Sequence, residues 1–289
     1  MAESTKVTLS RSARLPVFLL LLLLSLTILA PLFFVFSTSL RTNQDYLESA
    51  FRLPMNPTLY NFQVLLFDYH IAQAFLNSVV VIAVCLVLQL TVASFAAFGL
   101  AKYKVRGAGL ITSIFVSVML IPGQVLLIPT YVMLSNLGLV GNYGGLIVVY
   151  VVTGLPFAIF FLSLAFRDIP TETLEAARID GAGFLQTYWS ILIPLGTSSL
   201  AALAVLQFLG MWNELLFGLM LIPDRELRLL TPTLALMGGR FLTNQPLVSS
   251  GLVVTALVPI LLLTFASRYI MGGLAVGGVV NTRNLRAQK

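Results

Sequence analysis

Six stretches of mostly apolar residues, each long enough to cross a bilayer, divide this 289-residue chain and leave few folds open to it. They run over residues 15–39, 76–101, 110–134, 145–166, 197–222 and 251–271. A helix needs roughly 20 apolar residues to cross the hydrocarbon layer. Inside that layer every backbone N–H and C=O must find its partner within the segment, which a helix achieves and an irregular loop does not. The spacing therefore predicts an all-α integral membrane protein with six transmembrane helices. Composition agrees: 58% of residues are hydrophobic and only 10% charged, against roughly 25% charged in soluble domains. The first run follows Arg11 and Arg14 and resembles a signal peptide in outline. It is too long for a signal h-region and no A-x-A-like site follows it, so it reads as a retained helix.

Lysine and arginine set the orientation, because cytoplasmic loops carry the excess of both. With both termini inside, twelve of the 17 basic residues fall on the cytoplasmic side and five on the outer side. The outer five are Arg41, Arg52, Arg225, Arg228 and Arg240. This gives a cytoplasmic N-terminal segment (1–14), a six-helix membrane domain (15–272) and a cytoplasmic C-terminal tail (273–289). The loop between the fourth and fifth spans (167–196) faces the cytoplasm. Larger outer loops cover residues 40–75 and 223–250, with a short one at 135–144. The net charge of +6 sits beside the spans rather than along a stripe, which argues against nucleic acid as a partner. Cys85 is alone within an apolar run and His70 has no ligand-type neighbours, so neither a disulfide nor a metal site is expected.

The spans are not plain anchors. Ala93, Ala97 and Ala101 place three small side chains on one face of the second span, and Ser198, Ala202 and Gly210 do so for the fifth. Small faces let helices approach closely in lipid. Pro122 and Pro129, Pro156 and Pro259 remove backbone donors in the third, fourth and sixth spans and favour kinks there.

The organised polar segment is EAARIDGAGFLQTYWSILIP, Glu175 to Pro194. Asp168 or Thr171 can cap a short helix whose early turns hold Glu172 and Glu175, favourably placed at the positive end of the helix dipole. That helix is expected to end near Asp180, with Gly181 supplying a positive φ. A second helix follows, with Phe184, Tyr188 and Ile191 on one face, and Pro194 ends it before the next span. Ala176, Ala177 and Ala182 leave the surface shallow enough to seat in another protein's groove. The aromatic face is buried either against such a partner or against the chain's own helix ends.

Glu175-Ala176-Ala177, Asp180-Gly181-Ala182, Tyr188, Ile191 and Ile193-Pro194 resemble, position by position, the EAA signature of ATP-binding-cassette (ABC) importer permeases, EAAxxDGAxxxxxFxxIxLP. Tyr188 for Phe and Ile193 for Leu are the departures. The resemblance extends along most of the chain. LRTNQDYLESAFRLPMNPTLYNFQVLL after the first span, Asn77-Ser78, Met119-Leu120-Ile121-Pro122, Trp212-Asn213-Glu214 and the tail Gly273–Val279 look like the second permease of the maltose and glycerol-phosphate systems. The resemblance implies a type I importer permease fold whose coupling helices dock on an ATPase. Glu175, Ala176, Ala177, Asp180, Gly181, Ala182, Tyr188, Ile191 and Pro194 would serve that coupling, with Glu175 and Gly181 the most sensitive. It also implies a homologous second permease, two ATP-binding-cassette subunits that hold ATP and Mg, and an extracytoplasmic solute-binding protein, all in a prokaryotic inner membrane.

Glu214 is the only acidic side chain expected within a span, and an ionisable group there is a functional candidate. Trp212, Asn213 and Glu214 together suit a sugar, which is held by aromatic faces, amides and carboxylates. Against this, Trp212 as an interfacial anchor and Glu214 as a bond to a neighbouring helix remain open. Gln124, Gln89 and Asn136 are further polar candidates, each equally suited to joining helices. The chain carries no G-x-x-x-x-G-K-[ST] loop, so it cannot supply the ATP site and is read as a transport subunit, not an enzyme. An importer permease for a non-sugar solute is the main alternative. An ion-coupled transporter would show several intramembrane carboxylates, and a membrane enzyme would show a catalytic cluster at one interface. Neither pattern is present.

Overall fold

The computed structural model describes residues 11–103, 105–240 and 244–279, with side chains over 15–103, 105–237 and 244–266. All regular structure among the described residues is helical. They divide into two compact units, one within Met1–Tyr69 and Met237–Val254, the other within His70–Leu236 and Thr255–Lys289.

In the first unit, α1 (Arg11–Ser39) is the first span. Beyond it, α2 (Asn43–Glu48) is capped by Thr42, whose hydroxyl accepts from Asp45 N, and α3 (Tyr60–Phe67) follows. The loop between them folds back on the end of α1. Asn61 Nδ2 donates to Ser39 O at 2.9 Å and Arg41 O at 2.7 Å, serving carbonyls that the helix end leaves without partners. Arg41 is buried, donating to Asp45 Oδ2 and to the carbonyls of Asp45, Ser49 and Ala50.

The second unit is built on α4 (Ile71–Lys102) and α7 (Tyr143–Arg167), which pack along much of their length. Ala93 and Ala97 are fully buried there against Ala158, Ile159, Leu162 and Phe166. The small-residue face of the second span is thus a helix–helix contact, as expected of small residues in lipid. Ala202 of α10 (Ile193–Trp212) is buried too, whereas Gly210 is exposed.

Five of the six expected spans differ from the structure. The second and fourth begin earlier, at Ile71 and Tyr143, the latter because Asn142 accepts from Gly145 N and caps α7. The third is not one helix. α5 (Ala108–Met119) and α6 (Leu127–Asn136), joined by a 3₁₀ turn at Gly123–Leu126, are bent by 83° across Pro122. Pro122 itself is extended at ψ 128°, lacks an N–H and disfavours helix in the residue before it. Pro129 falls in the first turn of α6, where no donor is needed, and α7 and α13 (Gln245–Val279) run on through Pro156 and Pro259. The sixth span starts before residue 251 because Asn244 Oδ1 accepts from Leu247 N, with Pro246 in the tolerant first turn.

The fifth span differs most. α8 (Thr171–Ile179) is followed by α9 (Phe184–Thr187), which continues through a π-helical turn at Tyr188–Leu192 into α10. Phe184–Trp212 is therefore one apolar rod of 29 residues, and Pro194 sits inside it rather than ending a helix. The widened turn just before Pro194 accommodates a ring that a regular helix interior would reject. At its far end the rod stops at Trp212, not near Ile222. Thr231 Oγ1 donates to Trp212 O, and the Glu214 carboxylate takes the N–H groups of Phe217 and Gly218 to start α11 (Leu216–Leu221). α12 (Leu230–Arg240) follows.

Candidate functional site

The segment between α7 and α10 is closed by backbone bonds at its glycine. Gly181 has φ +82°, Ala182 N donates to Ala177 O at 2.9 Å and Gly181 N to Arg178 O at 3.0 Å. This paired 6→1 and 5→2 arrangement is a Schellman motif, and it satisfies the last carbonyls of α8. The helix start differs from expectation: Pro170 takes the cap position without a side-chain bond, and Asp168 belongs to the end of α7.

Leu174 and Ala177 turn inward, while Glu175, Ala176, Asp180 and Gly181 are exposed and Ile179 is 86% exposed. Tyr188 is buried, Ala182 and Ile191 are half-buried, and Pro194 is exposed. The aromatic face rests on the chain's own α4. The Tyr188 ring stacks on Phe95 at 4.0 Å, and Phe184 lies 5.0 Å from Phe98 and 5.6 Å from Tyr103. Ser94 Oγ and Tyr188 Oη share a 2.6 Å hydrogen bond, and the Arg178 guanidinium sits 4.8 Å over the Tyr103 ring. Lys102 closes the junction, donating from Nζ to the carbonyls of Arg167 and Ile169 at the end of α7. The result is a small polar and apolar platform, mounted rigidly on one long helix and clamped to another.

Within the spans, polar side chains from α4, α7 and α10 converge on a cavity of about 180 Å³ lined by Gln89, Tyr150, Thr153, Gly154, Gln207 and Glu214, among others. Gln89 Nε2 reaches Tyr150 O and Val151 O, and Gln207 Nε2 reaches Gly154 O. Tyr150 Oη donates to Glu214 Oε2 at 2.9 Å. With Phe217 N and Gly218 N, the Glu214 carboxylate has three donors, which compensates an anion in a poorly solvated place. This cavity is smaller than the roughly 300–1,000 Å³ of pockets that enclose a drug-sized ligand.

The residues singled out in the spans separate. Trp212 is buried, stacked on Phe208 at 5.3 Å with Nε1 donating to Thr255 O at 3.2 Å, so its ring is an internal support. Asn213 is exposed and bonded to Leu209 O. Glu214 both caps α11 and lines the cavity. Gln124 is exposed in the bent third span and lies outside that lining, while Gln89 belongs to it. Tyr150, Thr153 and Gln207 were not singled out by sequence. Gln207 had a signal, lying seven residues before Glu214 on the same helical face.

Among the described residues, five helices long and apolar enough to cross a membrane, plus one bent pair, define a polytopic membrane protein. Residues 89–275 match the family described as the binding-protein-dependent transport system inner membrane component, and the chain belongs to that family. It is similar to the diacetylchitobiose uptake system permease protein NgcG of Streptomyces coelicolor, 33% identical over 75% of this chain and 72% of that one. It is also similar to the arabinooligosaccharides transport system permease protein AraQ of Bacillus subtilis, 28% identical over 92% and 95%. A solved bacterial ABC transporter involved in the import of the acidic polysaccharide alginate superposes with a TM-score of 0.75 at 23% identity, covering 90% of this chain and 98% of that one. The fold is that of a type I importer permease.

Proposed function

We propose that this chain is one of two permease subunits of an ABC importer for a carbohydrate-class solute, covering oligosaccharides, disaccharides, polyols and glycerol-phosphate-type compounds. Relatives named for diacetylchitobiose and arabinooligosaccharides support the solute class. An extracytoplasmic binding protein delivers the solute, and two separate ATP-binding-cassette subunits hold ATP and Mg. This chain binds no cofactor. Both termini lie in the cytoplasm, a reading supported by the basic-residue count.

The observation that carries the proposal is the platform on a rod. Glu175, Ala176, Asp180 and Gly181 are exposed on α8 and its closing turn, while Tyr188 is fixed in the helix that runs without interruption to Trp212. A groove on the ATPase that closes over ATP would move the platform, and the rod would carry that displacement to the Glu214 break beside the cavity. Alternating access then follows from the different affinities of two states for nucleotide and binding protein. Asn213 and Glu214 would border the solute path once that cavity widens, with Trp212 supporting them and Gln124 more remote.

The test is to tag the chain, solubilise gently and ask whether a second permease and an ATPase subunit copurify. Gly181→Leu places a Cβ at φ +82°, where side chains cost on the order of 1–2 kcal/mol. It is expected to abolish ATP-driven uptake while membrane insertion persists. Uptake that survives the change overturns the coupling role.

A further inference from the structure

Lys102, the last residue of α4, and Tyr103 at its cap hold the platform helix α8 near its two ends. Residues 168–170 form the joint between α7 and α8. Asp168 N donates to Ala165 O and Ile169 N to Phe166 O, and Pro170 has no N–H with which to continue the ladder. Lys102 Nζ reaches in from another helix and donates to Arg167 O, at 3.1 Å, and to Ile169 O. One carbonyl ends α7 and the other lies inside the joint, so a single ammonium bridges the two. Such charge-assisted bonds are stronger than neutral ones, and a cation at this end of α7 also complements its dipole. Asp168 in the joint and Glu172 in the first turn of α8 are the ammonium's acidic neighbours. One residue further on, the Tyr103 ring meets the Arg178 guanidinium at 4.8 Å, in the last turn of α8, and the Phe184 ring at 5.6 Å. Ile169 and Leu174 are buried in the same apolar cluster as Phe98 and Phe166. The joint is pinned by a helix to which it does not belong.

We propose that Lys102 is a positioning residue that stiffens the joint between α7 and α8, so that a displacement of the platform passes to α4 and α7 as well as to α10. α4 and α7 supply Gln89, Tyr150, Thr153 and Gly154 to the cavity, whereas α10 supplies Gln207, Gly210 and Met211. A platform joined to α10 alone would swing about residues 168–170 and leave the first group behind. The inference rests on the importer reading, in which ATP moves the platform. Lys102 acts through the carbonyls of Arg167 and Ile169.

Spin labels in the assembled importer, held in nanodiscs, test this without any solute. One label replaces Thr173 on α8 and the other Val152 on α7, both exposed, while Cys85 is fully buried and stays unlabelled. Pulsed electron resonance reads their separation before and after trapping with ATP, Mg and vanadate. With Lys102 in place the two separations are expected to agree within about 2 Å, as in a unit that docks as a rigid body. Lys102→Met keeps the apolar stem and removes the donors. It is expected to broaden the nucleotide-free distribution and to shift it by more than about 2 Å on trapping. Lys102→Arg, whose guanidinium can serve both carbonyls, is expected to follow wild type. A second pair, Val152 and Leu195, reports α7 against the base of α10 and is expected to be alike in all three chains. Separations in Lys102→Met that match wild type in both states overturn the proposal. So does an equal broadening of both pairs, which a general loosening would give, or a Lys102→Arg chain as broad as Lys102→Met. The Tyr103 contacts keep α8 seated in these variants, and if Lys102→Met does not assemble, Lys102→Gln is read in its place against the same outcomes. A wild-type complex that neither retains an ATPase nor traps nucleotide is a different result, and it removes the importer reading itself.

Discussion

The Gln89 amide fills the space that a side chain at Gly154 would need: a Cβ there would lie 1.8 Å from Gln89 Nε2 and 2.9 Å from Gln207 Nε2. Two glutamines from α4 and α10 therefore meet on α7 because that one position is bare. Gly154→Ala must push the buried Gln89 amide off the carbonyls of Tyr150 and Val151, which costs about 1–3 kcal/mol, while the Gln207 amide need give only slightly. The expected result is a lower apparent melting temperature of the detergent-solubilised complex, partly restored by Gln89→Ala in the same chain. Equal melting temperatures for wild type and Gly154→Ala would contradict the packing described here.

Tyr188 and Ser94 make an asymmetric pair. Tyr188→Phe leaves Ser94 Oγ its second acceptor, Thr91 O at 3.0 Å, so the loss is that of one interhelical hydrogen bond, about 0.6 kcal/mol. Ser94→Ala leaves the buried phenol without its partner, which costs about 1–3 kcal/mol. Denaturation midpoints should therefore rank wild type, then Tyr188→Phe, then Ser94→Ala, with transport by Tyr188→Phe close to wild type. The reverse ranking would show that the bond does not organise this junction.

Much of this was legible because lipid imposes simple rules. Run length announced the spans, Ala93 and Ala97 marked a packed face, and Gly181 marked the end of α8. Helix boundaries were less legible where hydropathy is blind to side-chain caps. Asn142 and Asn244 start helices, and the Glu214 carboxylate splits an apolar run into α10 and α11. Pro194 misled for a related reason, since a π-helical turn before it lets the helix continue. At the candidate site, Ala176 is exposed as expected, but Ala177, expected on the same shallow surface, turns inward beside Leu174 and Ala182 is half-buried; the burial of Tyr188 on Phe95 depends on a partner 93 positions away in sequence. Periodicity carries no information about such a contact.

Arg41 organises the loop after the first span, and its pairing makes that loop sensitive to acid. The hydrogen bond from Arg41 Nε holds the Asp45 carboxyl below its ordinary range, and the charges of Arg41 and Arg52 add to this while burial opposes it. A carboxyl whose folded pKa is depressed contributes its stabilisation fully above the unfolded value, about 3.9, and loses it as pH falls through the folded value. Hydrogen exchange of residues 42–52, corrected for intrinsic rates, should show protection that is constant from pH 7 to 5 and declines below about pH 4. Asp45→Asn should flatten that decline. Arg41→Lys should reduce protection at every pH, because one ammonium cannot reach Asp45, Ser49 and Ala50 together. A decline that persists in Asp45→Asn would assign the acid sensitivity to another group.

Glu214 separates two roles that its position combines, capping α11 and bordering the cavity. As a cap it accepts Phe217 N–H on Oε1 and Gly218 N–H on Oε2, and glutamine keeps a carbonyl oxygen for one of the two. Removing an N-cap acceptor altogether costs about 0.5–2 kcal/mol. Glu214→Gln should therefore lose less stability than Glu214→Ala, which should lose about 1 kcal/mol. Tyr150→Phe, which deletes one of three donors and leaves both cap bonds in place, should also lose less than Glu214→Ala. Uptake supplies the second axis. If the carboxylate serves only the cap, transport in the three variants tracks their stability. If it also meets the solute, Glu214→Gln raises the solute concentration needed for half-maximal uptake by more than Tyr150→Phe does at comparable stability. The border role proposed for Glu214 requires the second outcome, and a Glu214→Gln chain with wild-type uptake at every solute concentration would leave Glu214 as a cap alone.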